Sequence, residues 1–139
     1  SLSGYFAPLL HLSSIGKPEH YFSSMIPSGS HIRSLDWIAE GEVDTASIDS
    51  YAYTRYKELY PEKAEKLQVV HSVGPFPVQP IVVRAGLAPE TKDALESTLL
   101  NMANDPTGAS ILKSHKVLCF APPLTDEYTR EKLIASYGP

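Results

Sequence analysis

The sequence predicts an α/β fold in which a mostly parallel sheet is flanked by helices. Three observations lead there. Segments with apolar residues at helical spacing alternate with short runs rich in β-branched residues, the order expected when helices cover a parallel sheet. The helical segments carry their own boundary signals, with serine, aspartate or proline in front and glycine behind. The 12 prolines fall mainly between the periodic segments, where they act as punctuation.

Residues 1–14 read as a first helix, capped by Ser1 or Ser3, with Phe6, Leu9 and Leu10 as its buried stripe. Pro8 conflicts with a cap at Ser3 because it falls past the first turn, so either that turn is irregular or the helix kinks. Gly16, Lys17 and Pro18 end it. Residues 19–22 read as a short turn or helix, and SMIP (24–27) as a short strand. Ser30 to Glu40 is the best-defined helix, with Ile32, Leu35, Ile38 and Ala39 at helical spacing and Gly41 as its stop. VDTASI (43–48) reads as a short buried strand, followed by a helix from Asp49 to about Tyr60. Tyr53, Tyr56 and Tyr60 on that helix are three and four apart and are expected to pack on or cover its surface.

PEKAEK (61–66) is a charged helical turn, LQVVHSV (67–73) a strand, GPFP a loop, and VQPIVVR (78–84) a strand with Pro80 at an edge or crossover. Leu87, Ala88 and Pro89 open a helix to about Asn104, with Leu95, Leu99, Met102 and Ala103 on one face. Asp105 caps the next helix, whose first residue is Pro106. Val117 to Phe120 reads as a strand that buries Cys119, and Pro122-Pro123 breaks it. Thr125 caps a last helix, with Asp126 and Glu127 at its positive end and Gly138 as its stop.

Composition narrows the functional classes. With 139 residues, 42% hydrophobic and 20% charged, the chain is long enough for one modest domain with a real core. A net charge of −4 leaves no basic patch for a phosphate backbone, so no nucleic-acid partner is expected. No apolar run approaches the roughly 20 residues that span a bilayer, so no membrane insertion is expected. The chain opens abruptly on SLSGYF, without a signal-peptide pattern, as a piece of a longer protein would. One cysteine makes neither an intrachain disulfide nor a cysteine-based zinc site, and the five histidines show no HExxH pattern. Cofactor and metal are both expected to be absent. GxxxxGK[ST], GxGxxG and GxSxG are missing.

The strongest local signal is a pair of serine-rich turns ahead of helices, SLSG before Tyr5 and SGSH before Ile32. Hydroxyls and unpaired amides at a helix N-terminus suit a tetrahedral oxyanion, because the dipole and the N–H groups both favour negative charge. Ordinary N-capping is the plainer account of the same serines. His31 is either a donor or cation toward an anion, or a first-turn surface residue. Asp49 is either a helix cap or the partner of a cationic or hydroxyl group on a ligand, and the two roles are compatible. If helix and strand shared one α/β layer, both polar clusters would lie on one sheet edge, where such folds bind ligands.

In their order and spacing, SLSGY, SGSH, AEGEVDTASIDS and GPFPVQPIVV resemble the phosphate/phosphite/phosphonate-binding proteins of ABC importers, and the stretch from Pro89 to Gly108 resembles their C-terminal helices. The resemblance implies a type II periplasmic binding-protein fold. It implies an oxyanion site on Ser1, Leu2 and Ser3, with His31 also on the anion and Asp49 facing the ligand's remaining substituent. It further implies residues 1–74 as the second lobe and residues 75–139 as the crossover and C-terminal segment that completes the first lobe. That first lobe is incomplete, so a missing lobe or a partner chain would finish the cleft.

The function implied is binding of a phosphonate, phosphite or phosphate ester as a solute-binding component, with an ABC permease as partner, a periplasmic or extracytoplasmic location, and no enzymatic step. Two rivals are an enzyme on the same fold, resembling the pyrimidine-precursor synthases of thiamine biosynthesis, and a ligand-sensing effector domain of a regulator. The first would need a reactive lysine or histidine and a metal cluster. The second would need a DNA-binding segment.

Overall fold

A computed structural model describes residues 2–17 and 20–123 of the chain. Among these residues every regular element is helical: a π-helical turn at Leu2–Phe6, α1 (Ala7–Ser14), α2 (His31–Glu40), α3 (Ser50–Leu59), α4 (Pro61–Ala64), α5 (Pro89–Asn101), a 3₁₀ turn at Met102–Asn104 and α6 (Pro106–Ser114). The chain divides into two compact units. The first runs to Phe76 and holds α1 to α4; the second starts at Pro77 and holds α5 and α6. The expected last helix from Thr125, and Ser1, lie outside the described residues.

The expected α/β fold with a mostly parallel sheet is therefore corrected: the described residues contain no strand. The segments with strand-like composition stand apart from any ladder; VDTASI (43–48) is half-buried at Val43, Ala46, Ser47 and Ile48, and the later ones hold strongly exposed side chains. Val70 is 82% exposed, Val82 80% and Leu118 92%. A helix closes its hydrogen bonds within its own segment, whereas a strand exists only through a partner's N–H and C=O groups. β-branched residues favour extended backbone but cannot supply that partner. The same reason corrects Cys119, which is exposed rather than buried.

The helices lie where the spacing puts them. In α2, Leu35 and Ala39 are buried one turn apart, while Ile32 sits at the exposed margin. At its end Gly41, at φ +77, carries the chain out of the helix. Its amide bonds the Ile38 carbonyl at 3.1 Å and the Glu42 amide bonds the Trp37 carbonyl at 2.8 Å, the paired bonds of a Schellman stop. Residues 2–14 take the irregular alternative. Pro8 has no N–H to continue an α-helical ladder, and the chain makes a π-helical turn before it enters α1. The expected stripe also shifts: Ala7 is buried, whereas Phe6 and Leu10 are exposed.

Tyr56 is the central residue of the first unit, with no exposed surface. Its hydroxyl donates to Asp36 Oδ1 of α2 at 2.9 Å. Lys63 of α4 reaches the same oxygen at 2.6 Å and Glu40 Oε1 at 3.0 Å. One carboxylate thus fastens α2, α3 and α4 together. His11 of α1 stacks on His71, ring centroids 4.5 Å apart, which ties α1 to the chain beyond α4. In the second unit Leu112 and Gly108 of α6 are the buried residues, and Asp105 Oδ2 caps the helix through the Gly108 amide at 2.7 Å.

Candidate functional site

Three stretches far apart in sequence meet in the first unit: the π-helical turn, the start of α2 and the residues before α3. The start of α2 is built by serines. Gly29, at φ +85, turns the chain, and Ser30 takes an extended conformation ahead of the helix. The Ser30 hydroxyl accepts the Arg33 amide at 3.2 Å. The first intrahelical bond is that of the Ser34 amide to the Ser30 carbonyl, so the amides of His31 and Ile32 precede the helical ladder.

Ser28 Oγ lies 2.6 Å from Ser34 Oγ and 2.9 Å from the Ser30 carbonyl, and Ser34 Oγ lies 3.2 Å from that carbonyl. Two hydroxyl protons serve these three contacts, so the pair shares them between alternative directions.

From this turn His31 reaches the π-helical turn. Its Nε2 is 3.2 Å from Ser3 Oγ, across 28 residues of sequence. Both residues are half-buried, open enough to meet a solute and fixed enough to hold a position. In this pair one atom donates and the other accepts, according to the imidazole tautomer. Leu2 stands beside Ser3 in the same turn and is 37% exposed.

Asp49 caps α3. Its Oδ1 accepts the amides of Tyr51 at 2.9 Å and Ala52 at 3.1 Å. The carboxylate thus answers the positive end of α3, which leaves α2 as the helix whose N-terminus suits a second negative group. Two residues before Asp49, Ser47 donates its hydroxyl proton to the Ser3 carbonyl at 2.6 Å, across 44 residues of sequence.

Of the expected site residues, the structure brings Ser3 and His31 into direct contact and links the segment of Asp49 to them through Ser47. Ser1 lies outside the described residues. Among the described residues there is no sheet edge for the two clusters to share; side-chain hydrogen bonds gather them instead. Sequence reasoning passes over Ser47, whose only signal is a hydroxyl in a short run that ends at the Asp49 cap.

Tyr53 and Tyr56 of α3, and Tyr60 just past its end, act as packing and cover. Tyr56 is buried, Tyr60 leans on it at 5.1 Å, and Lys57 lies over the Tyr53 ring at 4.8 Å. His20 and His115 are exposed. Among the described residues no group of three His, Cys, Asp or Glu side chains is placed to hold a metal ion. Among them, too, no helix is long and apolar enough to cross a membrane.

Electrostatically the framework is settled within itself. The hydrogen bonds from Lys63 and Tyr56 hold the Asp36 carboxyl below its ordinary range, and the same carboxylate raises Lys63. Burial, then the bond to Asp36, pushes the Tyr56 hydroxyl up to about 12. The charge of Asp36 is thus matched inside the α2–α3–α4 junction.

Residues 1–128 match the family described as ABC transporter, phosphonate, periplasmic substrate-binding protein. No curated protein matches the chain. The family is one of transport proteins rather than enzymes, and its members are periplasmic. The match takes in the serine turns, His31, Asp49 and both helices of the second unit, and the chain belongs to the phosphonate-binding family of periplasmic substrate-binding proteins of ABC transporters.

Proposed function

We propose that this chain captures a small phosphorus oxyanion, a phosphonate, phosphite or phosphate ester, at the place where Ser3, His31 and the start of α2 converge. The observation that carries the reading is the contact of Ser3 Oγ with His31 Nε2 at 3.2 Å, directly ahead of the α2 ladder. Two side chains and the leading amides of a helix, gathered at one point, match the tetrahedral set of acceptors on such an anion. Capture is by substitution: hydroxyls, amides and the imidazole replace the anion's hydration.

The carboxylate of Asp49 repels a second anionic group and favours a hydroxyl or ammonium on the ligand's organic end. In this reading residues 1–74 are the lobe that holds the anion, and residues 75–139 are the segment that crosses back toward the other lobe. Delivery is to an ABC permease, outside the cytoplasm.

Calorimetric titration with methylphosphonate, 2-aminoethylphosphonate, phosphite, phosphate and sulfate tests the reading on the whole protein. A phosphorus oxyanion should bind, and Ser3→Ala and His31→Ala should each weaken binding by about tenfold or more, the cost of one hydrogen bond to a charged partner. Absence of binding by all of these anions would sink the proposal.

A further inference from the structure

We infer that Ser47 is a positioning residue for anion capture, setting the Ser3–His31 pair through the backbone of Ser3. The inference rests on the anion-binding reading above and adds to it the residue that fixes the geometry of the site. Ser3 sits in a five-residue π-helical turn that has no buried residue of its own, so packing alone does not hold it. What reaches its backbone from outside is the Ser47 hydroxyl, at 2.6 Å from the Ser3 carbonyl. The other side of Ser3, its Oγ, meets His31. Ser3 is therefore held at two points by two different stretches of chain.

The stretch that carries Ser47 is itself anchored. Two residues on, Asp49 is clamped to the first turn of α3 by two amide bonds to one carboxylate oxygen. α3 is fastened to α2 by the Tyr56–Asp36 bond. A closed path results: α2, α3, Asp49, Ser47, Ser3, His31 and back to α2. Without the Ser47 hydroxyl the path opens at the Ser3 carbonyl, the π-helical turn gains freedom, and Ser3 Oγ drifts from His31 Nε2. Precision of this kind sets affinity for a small, highly hydrated anion, because every donor has to meet an oxygen at once.

The test uses ¹⁵N-labelled protein and reads the His31 ring nitrogens by long-range ¹H–¹⁵N correlation without ligand, then the affinity for methylphosphonate. Ser47→Ala should change the His31 Nε2 signal, lower the affinity by about tenfold and leave the melting transition within a few degrees. Ser47→Thr keeps the hydroxyl and should restore signal and affinity together. Should Ser47→Ala fold poorly, Ser47→Cys preserves the volume, replaces the hydroxyl with a weak donor and should show the same Nε2 change. An unchanged Nε2 signal in the Ala or Cys variant overturns the inference, whatever happens to affinity. Failure of Ser47→Thr to restore the signal overturns it as well. If the unaltered protein binds no anion, the capture reading falls, while the ligand-independent Nε2 signal still decides whether Ser47 positions the pair.

Discussion

At the scale of residues, the Asp36 carboxylate decides how α2, α3 and α4 hold together. Tyr56→Phe keeps the ring that fills the core and removes the hydroxyl that bonds Asp36. Asp36 is about one-third exposed and keeps Lys63, so the expected loss is about 1 kcal/mol, measured by urea unfolding at neutral pH. The pH dependence follows from the directions of the shifts. The Tyr56 hydroxyl is raised from 10.0 to about 12 in the folded protein, so it contributes stability in full below pH 10 and loses it as pH rises through 12. Lys63 is raised as well and loses its contribution over the alkaline range above its ordinary value of 10.5.

Asp36 is lowered from 3.8, so its share is present above that value and is lost as pH falls through the lowered one. Stability measured from pH 2 to 12 should fall at both ends, and Tyr56→Phe should make the alkaline fall shallower. Of the residues in the candidate site, Ser3 and His31 were legible because serines and a histidine ahead of helices are local patterns. Ser47 was not, because its role is a bond across 44 residues of sequence, and no local spacing encodes its partner.

At the scale of elements, two glycines separate conformational from steric necessity. Gly41 ends α2 at φ +77, and a Cβ there would meet nothing within 4 Å. Gly41→Ala should therefore cost only the left-handed backbone penalty, about 1 kcal/mol in urea unfolding. Gly108 has ordinary backbone, but a Cβ there would collide with the Met102 carbonyl oxygen and come within 2.8 Å of Met102 Cγ. Gly108→Ala forces the 3₁₀ turn away from α6 and should cost about 1–3 kcal/mol, the range for overpacking.

The contrast explains what the sequence discloses about elements. Caps, stops and helical spacing are settled within one turn of the chain, so α2 and α3 match the sequence reading to within a residue and α6 starts at its expected cap, whereas the helix expected to run to about Asn104 ends at Asn101 and gives way to the 3₁₀ turn. The π-helical turn was half legible, since Pro8 announces an irregularity without specifying which. VDTASI, LQVVHSV and VQPIVVR carry strand-like composition yet form no strand, because composition does not supply the neighbour that a ladder requires.

At the scale of the whole molecule, the two units allow the anion site to be located without any assumption about how they sit together. A ligand that binds only the folded protein stabilises it by RT ln(1 + [L]/Kd), about 2.7 kcal/mol at a hundredfold excess over Kd. That energy appears as slower amide exchange first where the ligand bonds the chain. If methylphosphonate sits against Ser3, His31 and the start of α2, the amides of residues 2–6 and 31–34 should gain the most protection, followed by residues 47–52 through the Ser47 and Asp49 bonds. The amides of α5 and α6, in the second unit, serve as the internal gauge. Hydrogen exchange read by mass spectrometry, with and without saturating methylphosphonate, distinguishes the cases. Protection strongest at residues 2–6 and 31–34 places the anion where the serine turns converge. Protection strongest at residues 89–114 moves the anion to the second unit, and would make the Ser3–His31 contact a structural tie between the π-helical turn and α2.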